Sequence, residues 1–103
     1  MDVVMATCPD LEVIPCGPQT LALRGELCIA SVDLFTDALA RITGAVTLDL
    51  SELRFMDSTG LKVLVKRLSE GPVTLDEVSP QLVRLLALTG VDQAEGLEIR
   101  SRS

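Results

Sequence analysis

Apolar and polar positions change period several times along the chain, and each change marks an element. Leu11 to Ile14 is a short apolar run that stops at Pro15, and Thr20 to Arg24 places Leu21 and Leu23 on one face at strand spacing. The turn-rich Pro15-Cys16-Gly17-Pro18 between them predicts an antiparallel hairpin. Gly25 breaks the pattern, and from Ser31 the period lengthens. Val32, Phe35, Leu39 and Ile42 form the single apolar stripe of a helix. Ser31 is placed to cap it, Asp33 puts an acid in the first turn where the helix dipole favours one, and Gly44 stands just past its end.

Val46, Leu48 and Leu50 then alternate as a strand, followed by a loop carrying Ser51 and Glu52 that leads through Phe55 and Met56 to Asp57-Ser58-Thr59-Gly60. The next helix has Leu61, Leu64, Val65 and Leu68 on its core face, with Lys62, Lys66 and Arg67 turned away, and Gly71-Pro72 ends it. Val73 to Val78 reads as a strand. Ser79-Pro80 opens a last helix with a cap and a proline at the first helical position, Gly90 closes it, and Leu97 to Arg100 is a final strand. The order is β-β-α-β-α-β-α-β. Each helix after the hairpin joins one strand to the next, which makes those strands parallel. The expectation is an α/β fold: one domain over residues 1–103, core about 11–100, with a five-stranded mixed sheet and helices packed on it.

Composition removes several classes of function. At 103 residues the chain buries roughly 65% of its unfolded surface, enough for one core but not for a core hollowed around a large cofactor, so no cofactor is expected. The chain has no His, which removes Ser-His and Cys-His catalytic pairs and the usual metal sites, and no metal is expected. A formal charge of −6 with two Phe, no Tyr and no Trp argues against nucleic acid, which needs a basic face and stacking rings. No apolar run approaches membrane-spanning length and residues 1–6 lack a signal-peptide pattern, so a cytoplasmic protein without membrane contact is expected. Cys8, Cys16 and Cys28 are an odd set without C-x-x-C spacing; they read either as reduced thiols or as a redox-sensing pair.

The segment Asp57-Ser58-Thr59-Gly60 carries the most chemistry. Small polar residues and a glycine ahead of an amphipathic helix mean a sharp turn, and Asp57 or Ser58 would accept hydrogen bonds from the unpaired N–H groups of the first helical turn. That purely structural role stands beside a functional one, Ser58 as a phosphorylation site. A phosphate at a helix start meets free N–H donors and the positive end of the dipole, with Lys62 one turn on, while its charge would disrupt a packed partner surface beside Asp57 and Asp49. Nucleophilic catalysis is not supported. Ser58 and Lys62 are four residues apart rather than in Ser-x-x-Lys spacing, and no oxyanion motif accompanies them, so the chain is not expected to be an enzyme.

The run Val46-Thr47-Leu48-Asp49-Leu50-Ser51, followed by Phe55-Met56-Asp57-Ser58-Thr59-Gly60-Leu61, resembles the signature of STAS domains, in particular bacterial anti-sigma factor antagonists. Leu85 to Asp92 is similar to that family's last helix and following turn, and Gly25-Glu26-Leu27-Cys28 to its G-E-L-D segment. The resemblance runs from about Leu11 to Ile99. It implies that Ser58 is phosphorylated by a partner anti-sigma factor that is also a serine kinase. It further implies that the unphosphorylated chain binds that partner and frees a sigma factor, and that a serine phosphatase reverses the modification. The docking surface it implies comprises Asp57, Thr59, Gly60 and Lys62, with Gly25, Glu26, Cys28 and Asp49 nearby. Cys28 stands where the family commonly has Asp, and the connection Ser69-Glu70-Gly71-Pro72 is shorter than usual. Two other readings are a STAS scaffold or ligand-sensing module that works without phosphorylation, and a regulator whose input is the thiols of Cys8, Cys16 and Cys28. A monomer or weak dimer is expected.

Overall fold

The computed structural model describes residues 11–101. In chain order it contains β1 (Leu11–Gly17), β2 (Thr20–Leu27), α1 (Val32–Ala40), β3 (Val46–Met56), α2 (Ser58–Arg67) with a 3₁₀ turn at Leu68–Glu70, β4 (Val73–Val78), α3 (Pro80–Thr89) with a 3₁₀ turn at Val91–Gln93, and β5 (Leu97–Ser101). The strands lie in the order β1-β2-β3-β4-β5, β1 antiparallel to β2 and the other neighbours parallel, which is the mixed five-stranded sheet expected. Each helix crosses to the next strand along. Right-handed crossovers stepping the same way put all three helices on one face.

Burial follows that geometry. Val46, Leu48 and Leu50 of β3 are buried while Thr47, Asp49 and Ser51 on the other face are half-buried, and β4 repeats the alternation with Val73 and Leu75 against Thr74 and Asp76. Phe35 and Leu39 of α1, Leu61 and Leu64 of α2, and Leu82 and Leu86 of α3 close over the apolar face. Each such side chain contributes about 1.5–3 kcal/mol by leaving water.

Several boundaries differ from the expectation. β1 does not stop at Pro15. It is an edge strand, where a missing N–H is tolerated, and it runs to Gly17 through a register shift. β2 continues through Gly25 to Leu27, absorbing the glycine in a register shift against β3. The expected loop at Ser51 and Glu52 is strand: β3 runs on to Met56, with Leu53 and Met56 buried. Ile42 is buried but lies beyond the end of α1, and Ser31 stands at the N-cap position without capping by its side chain.

The largest departure is in α2. Its buried residues are Gly60, Leu61, Leu64 and Arg67, whereas Val65, assigned to the core face, is exposed. Arg67, expected to turn away, is only 4% exposed. Its Nη2 donates to the carbonyls of Ile42 (2.9 Å) and Gly44 (2.8 Å), just past the end of α1, while its Nε and Nη1 have no partner among the described residues. Carbonyls after a helix end need donors, and a long side chain on the neighbouring helix supplies them.

α3 begins and ends as expected. Ser79 accepts from the Leu82 N–H, Pro80 follows it, and Gly90 closes the helix in the left-handed conformation. Replacing Ser79 with alanine is expected to cost about 1 kcal/mol by removing that cap, measured as a lower urea midpoint at unchanged slope.

Candidate functional site

The site forms where β2 and β3 end side by side, with Leu27 paired to Met56. One residue later the Asp57 N–H donates to the Leu27 carbonyl at 3.0 Å, and the chain turns into α2. Asp57 has extended backbone and is the N-cap. Its Oδ1 accepts from the N–H groups of Thr59 (2.9 Å) and Gly60 (3.2 Å), and its Oδ2 accepts from the Ile29 N–H at 3.1 Å. One carboxylate therefore satisfies two donors of the helix start and ties the helix to the β2–α1 loop. The open choice between Asp57 and Ser58 as cap is resolved in favour of Asp57.

Ser31 completes the loop. Its hydroxyl accepts from the Cys28 N–H at 3.1 Å and lies 2.9 Å from the Glu26 carbonyl, to which it donates. The hydroxyl that the sequence placed as a cap for α1 instead braces the loop facing α2. Gly60 sits where a Cβ would come within 2.9 Å of the Leu27 and Met56 side chains, so its lack of a side chain lets the start of α2 close onto the strand ends.

With the cap supplied by Asp57, the Ser58 side chain is left at the surface as the first residue of α2, while Thr59 is half-buried and Gly60 buried. Lys62 follows one turn on and is exposed. Ser58, Leu61, Lys62, Val65, Lys66, Thr89 and Val91 line a groove of about 390 Å³ between α2 and the end of α3. Ile29, on the loop that holds Asp57, is 75% exposed. The surroundings of Ser58 are thus apolar and basic.

That arrangement brings together only part of the expected set. Asp57, Ser58, Thr59, Gly60 and Lys62 are contiguous on the helix start. Gly25 is buried, and Glu26 is half-buried with its carboxylate 3.8 Å from Arg54. Asp49 is not beside Ser58: it lies on the sheet face away from the helices, roughly 20 Å back along β3 at about 3.3 Å per residue. Its carboxylate accepts from the Ser51 N–H at 3.0 Å. Cys28, expected on the docking face, is only 1% exposed because the loop turns its side chain inward, and it is disulfide-bonded rather than a free thiol. Cys16 is a free, exposed thiol on β1 beside the hairpin turn, whereas Cys28 follows the opposite end of β2, so those two cysteines are not neighbours. Cys8 lies outside the described residues.

Sequence reasoning missed Ile29 and the lining contributed by Lys66, Thr89 and Val91. Ile29 acts through its backbone N–H, which no side-chain pattern encodes. Val91 follows the glycine that closes α3, and an apolar residue in a helix-ending turn was the one available signal. Among the described residues there is no group of three or more metal-ligating side chains, and no helix is long and apolar enough to cross a membrane.

Comparison with known proteins agrees with the fold. Residues 14–100 match a family model described as Mlab, STAS domain. Similar solved structures include an anti-sigma factor antagonist from Mycobacterium paratuberculosis, 22% identical over 86% of this chain and 84% of that one, with a TM-score of 0.70. The anti-sigma factor antagonist SpoIIAA in its unphosphorylated form is 19% identical over 91% and 89%, with a TM-score of 0.68. An anti-sigma-factor antagonist (STAS) domain protein from Planctomyces limnophilus is 22% identical over 90% of each chain, with a TM-score of 0.65. At these identities the likeness is one of fold. No curated protein sequence matches the chain.

Proposed function

The chain belongs to the STAS domain family, and from that premise we propose that it is an anti-sigma factor antagonist, a non-catalytic regulator switched off by phosphorylation of Ser58. In this reading the unphosphorylated chain binds an anti-sigma factor serine kinase and thereby frees a sigma factor, and a serine phosphatase restores the active form. The observation that carries it is the division of labour at the start of α2: Asp57 supplies the cap, so the neighbouring hydroxyl is spared for modification and held at the surface. The names of the three solved structures described above, each an anti-sigma factor antagonist, support the same reading. Asp57, Thr59 and Lys62 form the centre of the docking surface, with buried Gly60 letting α2 close behind them, Glu26 at the margin and Ile29 added.

Phosphorylation fits the local structure. A phosphate on the first residue of α2 stands at the positive end of the helix dipole, which favours it by roughly 0.3–1 kcal/mol. The fold is therefore expected to persist after modification while binding is lost.

The test is to incubate the chain with ATP and a serine-kinase anti-sigma factor from the same genome, then locate the phosphate by mass spectrometry. Phosphate on Ser58 is expected, with none taken up by Ser58→Ala. That variant should melt within a few degrees of the parent and bind the kinase whether or not ATP is present. Phosphate mainly on Thr59 would overturn the assignment, and a widespread change in amide exchange on phosphorylation would show a conformational switch instead.

A further inference from the structure

Building on the reading above, we infer that the groove between α2 and the α3–Val91 turn docks an acidic amphipathic helix of the anti-sigma factor. Lys62 and Lys66 receive its carboxylates, and a phosphate on Ser58 acts by taking Lys62 away from it. The groove is lined by Ser58, Leu61, Lys62, Val65, Lys66, Thr89 and Val91. Its charge is the notable feature. The chain carries a net charge of −6 and only two lysines, and both of them border this one groove, which no carboxylate lines.

Spacing does the rest. Ser58, Lys62 and Lys66 follow one another at four-residue intervals, so they form a single row along α2, each about 6 Å further along the axis. Leu61 and Val65 form the adjacent apolar row, and Val65 is 44% exposed although it continues the stripe that the rest of α2 buries. An apolar floor beside a cationic rail is the complement of a helix with one apolar face flanked by Glu or Asp. A phosphate on Ser58 sits four residues before Lys62, within reach of charge-assisted hydrogen bonds to it. It thus neutralises the end of the rail that an incoming carboxylate needs.

The test uses the unmodified chain and a synthetic probe, so it does not depend on any kinase acting on Ser58. The probe is a helical peptide of about four turns, with leucines on one face and glutamates on both flanks; a second peptide has lysines in place of the glutamates. Titrations followed by NMR are expected to shift the resonances of Leu61, Val65, Thr89 and Val91, with the acidic peptide binding at least tenfold more tightly. The exposed pair Lys62→Glu and Lys66→Glu should reverse that preference. Phosphoserine installed at position 58 during translation should weaken the acidic peptide at least tenfold, and in the Lys62→Gln background by much less. Equal binding of the two peptides, shifts elsewhere on the surface, preference for a fatty acid over the peptide, or self-association through this face would each overturn the inference.

Discussion

Gly71→Ala is expected to lower the melting temperature by more than about 8 °C. Gly71 has φ 153° and ψ 169°, a region closed to residues with a side chain. A Cβ there would stand 2.6 Å from the carbonyl oxygen of Gly44 and 2.7 Å from its carbon. Both are backbone atoms, and the oxygen is itself held at 2.8 Å by Nη2 of buried Arg67, so no flexible side chain can give way. Backbone strain of about 1–3 kcal/mol and overpacking of a similar size add to about 2–6 kcal/mol, a large part of the roughly 5–15 kcal/mol available to a domain. At about 4–8 °C per kcal/mol the shift is easily read by calorimetry. Gly44→Ala is the control. Its φ is 82° but nothing lies within 4 Å of the added carbon, so only the left-handed penalty of roughly 1–2 kcal/mol applies. Equal losses for the two variants would show that the close approach of the two loops is not what matters.

Asp57→Ala is the second large effect, because it touches fold and site together. The substitution removes an N-cap and the acceptors of three N–H groups, those of Ile29, Thr59 and Gly60. A capping loss of about 1 kcal/mol plus the loss of a charged acceptor across the loop predicts about 2–3 kcal/mol. Asp57→Asn should cost roughly half as much, since its single amide oxygen still caps the helix while its NH₂ group faces the Ile29 N–H. Amide exchange separates the two contributions: Ile29 should exchange faster in both variants, and Thr59 and Gly60 only in Asp57→Ala. Unchanged exchange at Ile29 would disprove the tie between loop and helix. Without Asp57, the Ser58 hydroxyl becomes the nearest acceptor for the first turn, so phosphate uptake at position 58 is expected to fall as well.

Much of this was readable along the chain. Alternation at Val46, Leu48 and Leu50, the cap-proline pair Ser79-Pro80 and the terminating Gly90 are local signals, and the structure reproduces them. The small polar run ending in Gly60 located the start of α2 for the same reason, since a sharp turn into a helix needs those residues nearby. Where local signals competed, sequence reading failed. Pro15 and Gly25 look like strand breakers, yet one lies on an edge strand and the other at a register shift, positions that only the neighbouring strands define. Ser31 has the right place for a cap, but carbonyl and N–H groups of its own loop engage its hydroxyl first.

The sequence by itself thus determined the number, kind and order of elements and, outside α2, the face each presents, because hydrophobic period and turn chemistry are properties of residues a few positions apart. Tertiary structure alone decided the fate of polar groups whose partners lie far along the chain. Arg67 is buried because two carbonyls about twenty-five residues away need a donor, and Val65 is left out because the stripe on α2 rotates to bring that arginine in. Asp57, not Ser58, caps α2 because the β2–α1 loop delivers the Ile29 N–H to its second oxygen. A buried hydrogen-bonding group must find a partner wherever the fold places one, and the partner's address is set by which strands lie side by side, not by spacing along the chain.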